Sequence, residues 1–309
     1  MTRYAAWLVA LGLLAAPAAP ALAASSGYTQ TQYPIMLVHG LFGFDQALGV
    51  DYFYRIPAEL QKDGAKVFVA QVSATNSTEK RGEQLLSQVK QVLAITGARK
   101  VNLIGHSHGG PTIRYVAGVA PQLVASVTSV GGVNKGSRIA DIVRGAVPPG
   151  SVSESLAASA AKGLAGLISV VSGGSHLPQD PIAAMESLTT AKTADFNARF
   201  PAGVPTTACG EGAYVVNGVR YYSWSGASTV TNIFDVSDGA LALTGLAYGS
   251  PNDGLVGTCS SRLGQVLRDN YKMNHVDEIN HFFGIVHLFE TNPVTLYRQQ
   301  ANRLKNAGL

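Results

Sequence analysis

The segment that most narrows the fold is Gly105-His106-Ser107-His108-Gly109. An apolar run at 100–105 precedes it and reads as a strand, and a helical pattern at 111–120 follows it. A chain that passes so quickly from strand to helix must turn sharply, and a glycine on either side of Ser107 leaves room for neighbouring backbone. The same alternation runs through the N-terminal half. Residues 33–38 form a short apolar run ended by His39-Gly40, and 65–70 form a second, closed by the polar stretch 73–78. Between Ser77 and Ile95 the period becomes helical, with Leu85, Leu86, Val89, Val92 and Leu93 on one stripe and Gly97 as the stop. Residues 124–130 are a fourth, β-branched run. Strands alternating with helices imply an α/β fold, a mostly parallel sheet with helices on both faces. Working residues in such sheets lie beyond the carboxyl ends of the strands, here after Val38, Gly105 and Val130.

The first residues stand apart. Arg3, an apolar stretch at 5–16, the helix breakers Pro17 and Pro20, and Ala21-Leu22-Ala23 make the pattern of a secretory signal peptide over 1–24. The apolar stretch falls short of the roughly 20 residues that span a bilayer, and nothing later is long and apolar enough. The expectation is export, with 25–309 as a single domain free of transmembrane segments. In an oxidising compartment the only two cysteines, Cys209 and Cys259, are expected to pair. Charged residues make up 14% of the chain and the net charge is +4, without basic clusters interleaved with aromatics, so nucleic acid is excluded as a partner.

The segment at about 148–174 differs in character, being rich in Ala, Ser and Gly. Leu156, Ala160, Leu164, Leu167 and Val171 recur at helical spacing. A core-packed helix and a mobile lid over an apolar cleft both fit that pattern.

The strand, turn and helix around Ser107 form the arrangement called a nucleophile elbow, with backbone N–H groups at a helix N-terminus nearby. A serine needs a base, and the base an orienting acid. In this fold the order along the chain is serine, acid, histidine. That order leaves His275, His281 and His287 as bases, with His176 disfavoured inside the lid-like segment, and Asp235, Asp238, Asp253 and Asp269 as acids.

The chain resembles the secreted bacterial triacylglycerol lipases of the Pseudomonas and Burkholderia type, closest to the Pseudomonas aeruginosa-like members. The resemblance is carried by Tyr-Thr-Gln-Thr-Gln-Tyr-Pro (28–34), Val-His-Gly-Leu-Phe-Gly-Phe-Asp (38–45) and Val-Asn-Leu-Ile-Gly-His-Ser-His-Gly-Gly-Pro-Thr-Ile-Arg-Tyr-Val (101–116). It continues in Ala-Cys-Gly-Glu-Gly (208–212), Asn-Asp-Gly-Leu-Val-Gly (252–257) and Asp-Asn-Tyr-Lys-Met-Asn-His-Val-Asp-Glu (269–278). It implies an α/β-hydrolase fold with a helical lid, Ser107 as nucleophile, Asp253 as acid and His275 as base. The oxyanion donors would be the backbone N–H groups of Leu41 and His108. It also implies one structural calcium, held by the carboxylates of Asp235 and Asp277 and the carbonyl oxygens of His281 and Ile285, an oxygen-only set suited to a hard cation. Family members commonly carry Gln where this chain has His281, a change that leaves a carbonyl ligand intact.

The expected activity is hydrolysis of acylglycerols at an oil–water interface, with no redox or organic cofactor. A carboxylesterase acting on short soluble esters is the alternative, and a non-catalytic binding module is disfavoured because every catalytic position is filled. The resemblance further implies a lipase-specific foldase in the periplasm and type II secretion to the exterior.

Overall fold

Four short β-branched runs build the centre of a parallel sheet, because each is apolar at successive positions and needs cover on both faces. In the computed structural model, residues 27–41, 43, 46–47, 50–147, 152–171 and 177–309 are described. The signal-peptide segment 1–24 and the outer parts of the lid segment, 148–151 and 172–174, lie outside them.

The strands are β1 (Ile35–Val38), β2 (Gln46–Ala47), β3 (Val50–Asp51), β4 (Val67–Ala70), β5 (Val101–His106), β6 (Val124–Val130), β7 (Val215–Val216), β8 (Val219–Gly226) and β9 (Gln265–Tyr271). The helices are α1 (Ile56–Lys62), α2 (Thr78–Thr96), α3 (Gly109–Val119), α4 (Arg138–Val143), α5 (Glu154–Val171), α6 (Pro181–Ser187), α7 (Thr190–Arg199), α8 (Asp238–Gly245), α9 (Thr258–Ser261), α10 (His281–Gly284) and α11 (Pro293–Asn306). The sheet runs β4-β1-β5-β6-β8, with β7 and β9 both pairing to β8. Every pairing in it is parallel except β7 with β8, and β2 and β3 form a separate hairpin. Register sets Val38 beside Gly105 and His106 beside Val130, so the ends of β1, β5 and β6 open at one edge.

Alternation along each strand divides the core. Ile35 and Leu37 of β1, with Ile104, Val130 and Trp224, pack under α1 and α11 through Ile56, Leu60, Leu296 and Tyr297. Met36 and Val38, with Leu103 and Val127, pack under α2 and α3 through Leu85, Val89, Ile113 and Val116. Each such side chain contributes roughly 1.5–3 kcal/mol on leaving water, before conformational entropy is set against it. The stripe expected on α2 is the one buried: Leu85, Val89 and Val92 are in the core, with Leu86 and Leu93 at its margin. Ser77 caps its N-terminus by accepting from Lys80 N–H, and Gly97 ends it at φ +68°.

α3 begins at Gly109, two residues before the expected start at Pro111. Proline sits within its first turn, where N–H groups have no partner inside the helix. A third apolar cluster covers the carboxyl end of the sheet, joining Val133, Ile139, Met185 and Val256 to Ala160 and Leu164 of α5. α5 meets α8 closely; a Cβ at Gly163 would lie 2.7 Å from the carbonyl oxygen of Ala240. Among the described residues no helix is long and apolar enough to cross a membrane.

Candidate active site

Ser107 stands between β5 and α3 at φ +57°, a left-handed conformation rare for a residue with a side chain. Its glycine neighbours are required by contact. A Cβ at Gly105 would lie 2.3 Å from the carbonyl oxygen of Gly109, and one at Gly109 would lie 2.3 Å from that of Val38. The serine is only 8% exposed. The cluster containing α5 covers it.

Ser107 lines a largely apolar cavity of about 80 Å³ with His275, Leu41, Leu164, Met185 and Val256. His275 Nδ1 lies 2.8 Å from Asp253 Oδ2, and both residues are buried. The other oxygen of Asp253 accepts from Leu255 N–H at 2.9 Å and Val256 N–H at 2.7 Å, which holds the carboxyl group in place. His275 N–H donates to Asp253 O at 2.9 Å. His275 Nε2 is buried without a hydrogen-bond partner among the described residues. With Nδ1 engaged by a carboxylate, Nε2 is the nitrogen free to accept a proton.

The competing residues have other work. Asp269 pairs with Arg262 at 2.6 Å, and Asp235 and Asp238 both accept from Asn274 Nδ2 at 2.9 Å. His287 lies in a loop beside Phe289. His281 lines the same cavity as Ser107, and burial pushes its pKa down to about 4. His176 falls outside the described residues.

Four residues absent from the sequence reading of the site tie its parts together. Tyr52 OH accepts from Gly40 N–H at 2.9 Å and lies 2.7 Å from His106 Nδ1. Its proton is thereby directed at Nδ1, so His106 carries its own on Nε2 and donates it to the carbonyl of His275 at 2.9 Å. Glu278 approaches His106 Nε2 at 3.3 Å and accepts from Gly226 N–H at 2.6 Å. Burial pushes the Glu278 carboxyl up and the His106 imidazole down, so both charged forms are disfavoured at this contact. Arg81, fully buried, donates to His39 O at 2.6 Å and to Ser73 O, which braces the loops after β1 and β4. His106 stands inside the motif around Ser107 and Glu278 beside His275. Tyr52 and Arg81 carry no local signal, because only the fold brings them in.

Leu41 follows Gly40 and lines the cavity, and His108 stands at the N-terminus of α3. Asp277 N-terminal to α10 is buried, as is Asp235; Ile285, just after α10, is half-buried. Burial and the carboxylates of Asp235 and Asp238 push Asp277 up to about 8, and burial first, with Asp238, also raises Asp235. Among the described residues no lysine or arginine pairs with either. Buried oxygen donors that repel one another fit a hard divalent cation. Cys209 and Cys259 are bonded, which ties loop 207–212 to α9, just beyond Asp253.

Residues 33–288 match the α/β-hydrolase fold family. Two solved structures share the fold: a Bacillus licheniformis lipase in mature form and a metagenomic carboxyl esterase. The first has TM-score 0.57 at 19% identity, covering 81% of this chain and 89% of that one; the second has 0.59 at 17%, covering 96% and 81%. Among sequence relatives, a triacylglycerol lipase of Vibrio cholerae is 68% identical over 92% of this chain and 91% of its own length. Those of Pseudomonas fragi and Burkholderia plantarii are 45% and 42% identical, over 90% and 99% of this chain and 98% and 97% of their own. The protein is thus an α/β-hydrolase by fold. Within that class the chain belongs to the bacterial triacylglycerol lipase family of these relatives.

Proposed function

We propose that this chain hydrolyses acylglycerol esters through Ser107, His275 and Asp253. The observation that carries the reading is the 2.8 Å bond between His275 Nδ1 and Asp253 Oδ2 in a cavity that Ser107 lines. Asp253 keeps the imidazole oriented, and His275 Nε2 takes the Ser107 proton as Oγ attacks the ester carbonyl. The backbone N–H groups of Leu41 and His108 stabilise the oxyanion, an effect worth about 10²–10³ in rate per donor. His275 returns the proton to the departing alcohol, and water, deprotonated by the same nitrogen, releases the acid from Ser107.

α5 serves as the lid, a reading supported by Leu164, which lines the cavity with Ser107. The small size of that cavity equally favours a carboxylesterase acting on short soluble esters. Emulsified triolein compared with dissolved tributyrin separates the two, with Ser107→Ala as control. Strong triolein turnover that vanishes in the variant supports the lipase; turnover confined to tributyrin supports the esterase. Turnover retained by a folded Ser107→Ala protein would sink the assignment of the nucleophile.

One calcium ion, bound by the Asp235 and Asp277 carboxylates with the carbonyl oxygens of His281 and Ile285, belongs to this reading. When bound it neutralises buried negative charge near His275 and anchors that loop. Excess chelator should lower both the melting temperature and the hydrolysis rate; an unmoved melting temperature would refute the site. Export through the signal peptide at 1–24, with a lipase-specific foldase acting in the periplasm, completes the proposal.

A further inference from the structure

The carboxyl ends of β8 and β9 lead into two stretches, 227–252 and 273–289, with an unusual surface. Neither contains a lysine or arginine. Every acidic side chain within them, Asp235, Asp238, Asp277 and Glu278, is buried. The surface these stretches present therefore carries no fixed charge. It is instead apolar: Ile233 is 91% exposed, Phe234 73%, Leu288 81% and Phe289 88%, with Val236 and Phe283 also exposed. Single exposed apolar residues are ordinary, but a contiguous group of this kind marks an interaction surface. Asn232 Nδ2 donates to Val286 O at 2.9 Å, which joins the two loops into one surface.

The position matters as much as the composition. Ser107 follows β5 at the same end of the parallel sheet, and the second stretch contributes Val276, Ile279 and His281 to the cavity that Ser107 lines. The stretch that carries Phe283, Leu288 and Phe289 thus also supplies part of the wall of the reaction cavity, and both loops lie outside α5.

We propose that loops 230–236 and 283–289 form a landing surface for an uncharged acylglycerol phase, separate from the lid helix. The absence of fixed charge selects the partner. An anionic membrane would call for lysine and arginine, whose attraction to such surfaces is electrostatic and salt-sensitive. A neutral oil offers only apolar burial, which these six side chains supply. The proposal rests on the acylglycerol reading above, and adsorption is measured independently of turnover so that the two fail separately.

The test uses the double variants Phe234→Ser/Phe289→Ser and Ile233→Ser/Leu288→Ser, each with melting temperature and dissolved-tributyrin turnover as controls. Depletion from solution by triolein droplets is the readout. Adsorption should fall about tenfold or more for each pair, the loss expected when two large apolar groups no longer leave water. Tributyrin turnover and melting temperature should stay near wild type in at least one pair. Adsorption unchanged in a folded pair would overturn the proposal. Capture by phosphatidylglycerol vesicles as strong as by triolein, and abolished by salt, would overturn the choice of a neutral partner.

Discussion

At the scale of single residues, hydrogen-bond directions assign protons that the atoms themselves do not reveal. Gly40 N–H must donate to Tyr52, so the hydroxyl has one proton to give and His106 Nδ1 to receive it. Through His106 Nε2 the chain of bonds ends on the carbonyl of His275. Tyr52 therefore connects the loop carrying Leu41 to the loop carrying His275. Replacing Tyr52 with Phe keeps the ring and removes the link, leaving a buried N–H and a buried ring nitrogen unsatisfied. The expected result is a loss of about tenfold in kcat with KM little changed, equivalent to one hydrogen bond of about 1.4 kcal/mol. A loss confined to KM would assign Tyr52 to substrate contact instead.

At the scale of elements, the turn from β5 into α3 shows how little freedom the site has. Gly109 touches the backbone of β1, and the clash its substitution creates is with a carbonyl oxygen that cannot move aside as a side chain end would. Gly109→Ala should lower stability by about 1–3 kcal/mol, read as a reduced denaturant midpoint at constant m-value, and should lower turnover as well. A variant with unchanged midpoint would mean that β1 and α3 separate more readily than their packing implies. α5 illustrates the converse. Ala160 and Leu164 turn inward as their spacing requires while Leu156 stays half-buried, and the same face both packs in the third cluster and, through Leu164, lines the cavity. Core packing and cover of the site are one contact here.

At the scale of the whole molecule, four buried histidines set the response to acid. Burial lowers His39 to about 3 and His281 to about 4, and holds His106 and His108 well below 6.5. Their folded values lie below the unfolded value, so the stability they allow is complete above about pH 6.5 and declines as pH falls below it, for His39 down to about 3. Glu278 is raised and works with the opposite sign, losing stability as pH rises above 4.5, which offsets one of the four. Each uncompensated proton changes stability by about 1.4 kcal/mol per pH unit. With calcium present, unfolding free energy should fall as pH drops from 6.5 to 4.5. A flat profile over that window would show that these histidines protonate within the folded protein.

Much of the fold was legible because its signals are local. The β-branched runs near 35, 67, 101 and 124 and the stripe on α2 each identify an element from its own residues, and Gly105 and Gly109 announce a turn that only glycine permits. β8 escaped such reading because it buries Ser223 and Ser225 among its aromatics, which erases the apolar pattern. At the site, the order of serine, acid and histidine left several candidates, and resemblance alone narrowed them to Asp253 and His275. The tertiary structure decided what order cannot: that Asp269 is spent on Arg262, that Asp253 meets His275, that Tyr52 and Glu278 meet His106 beside His275, and that Arg81 braces the loop after β1. The physical reason is distance along the chain. Residues far apart in sequence become neighbours only when the sheet aligns its strand ends, and the burial that shifts their charges exists only once those ends are covered.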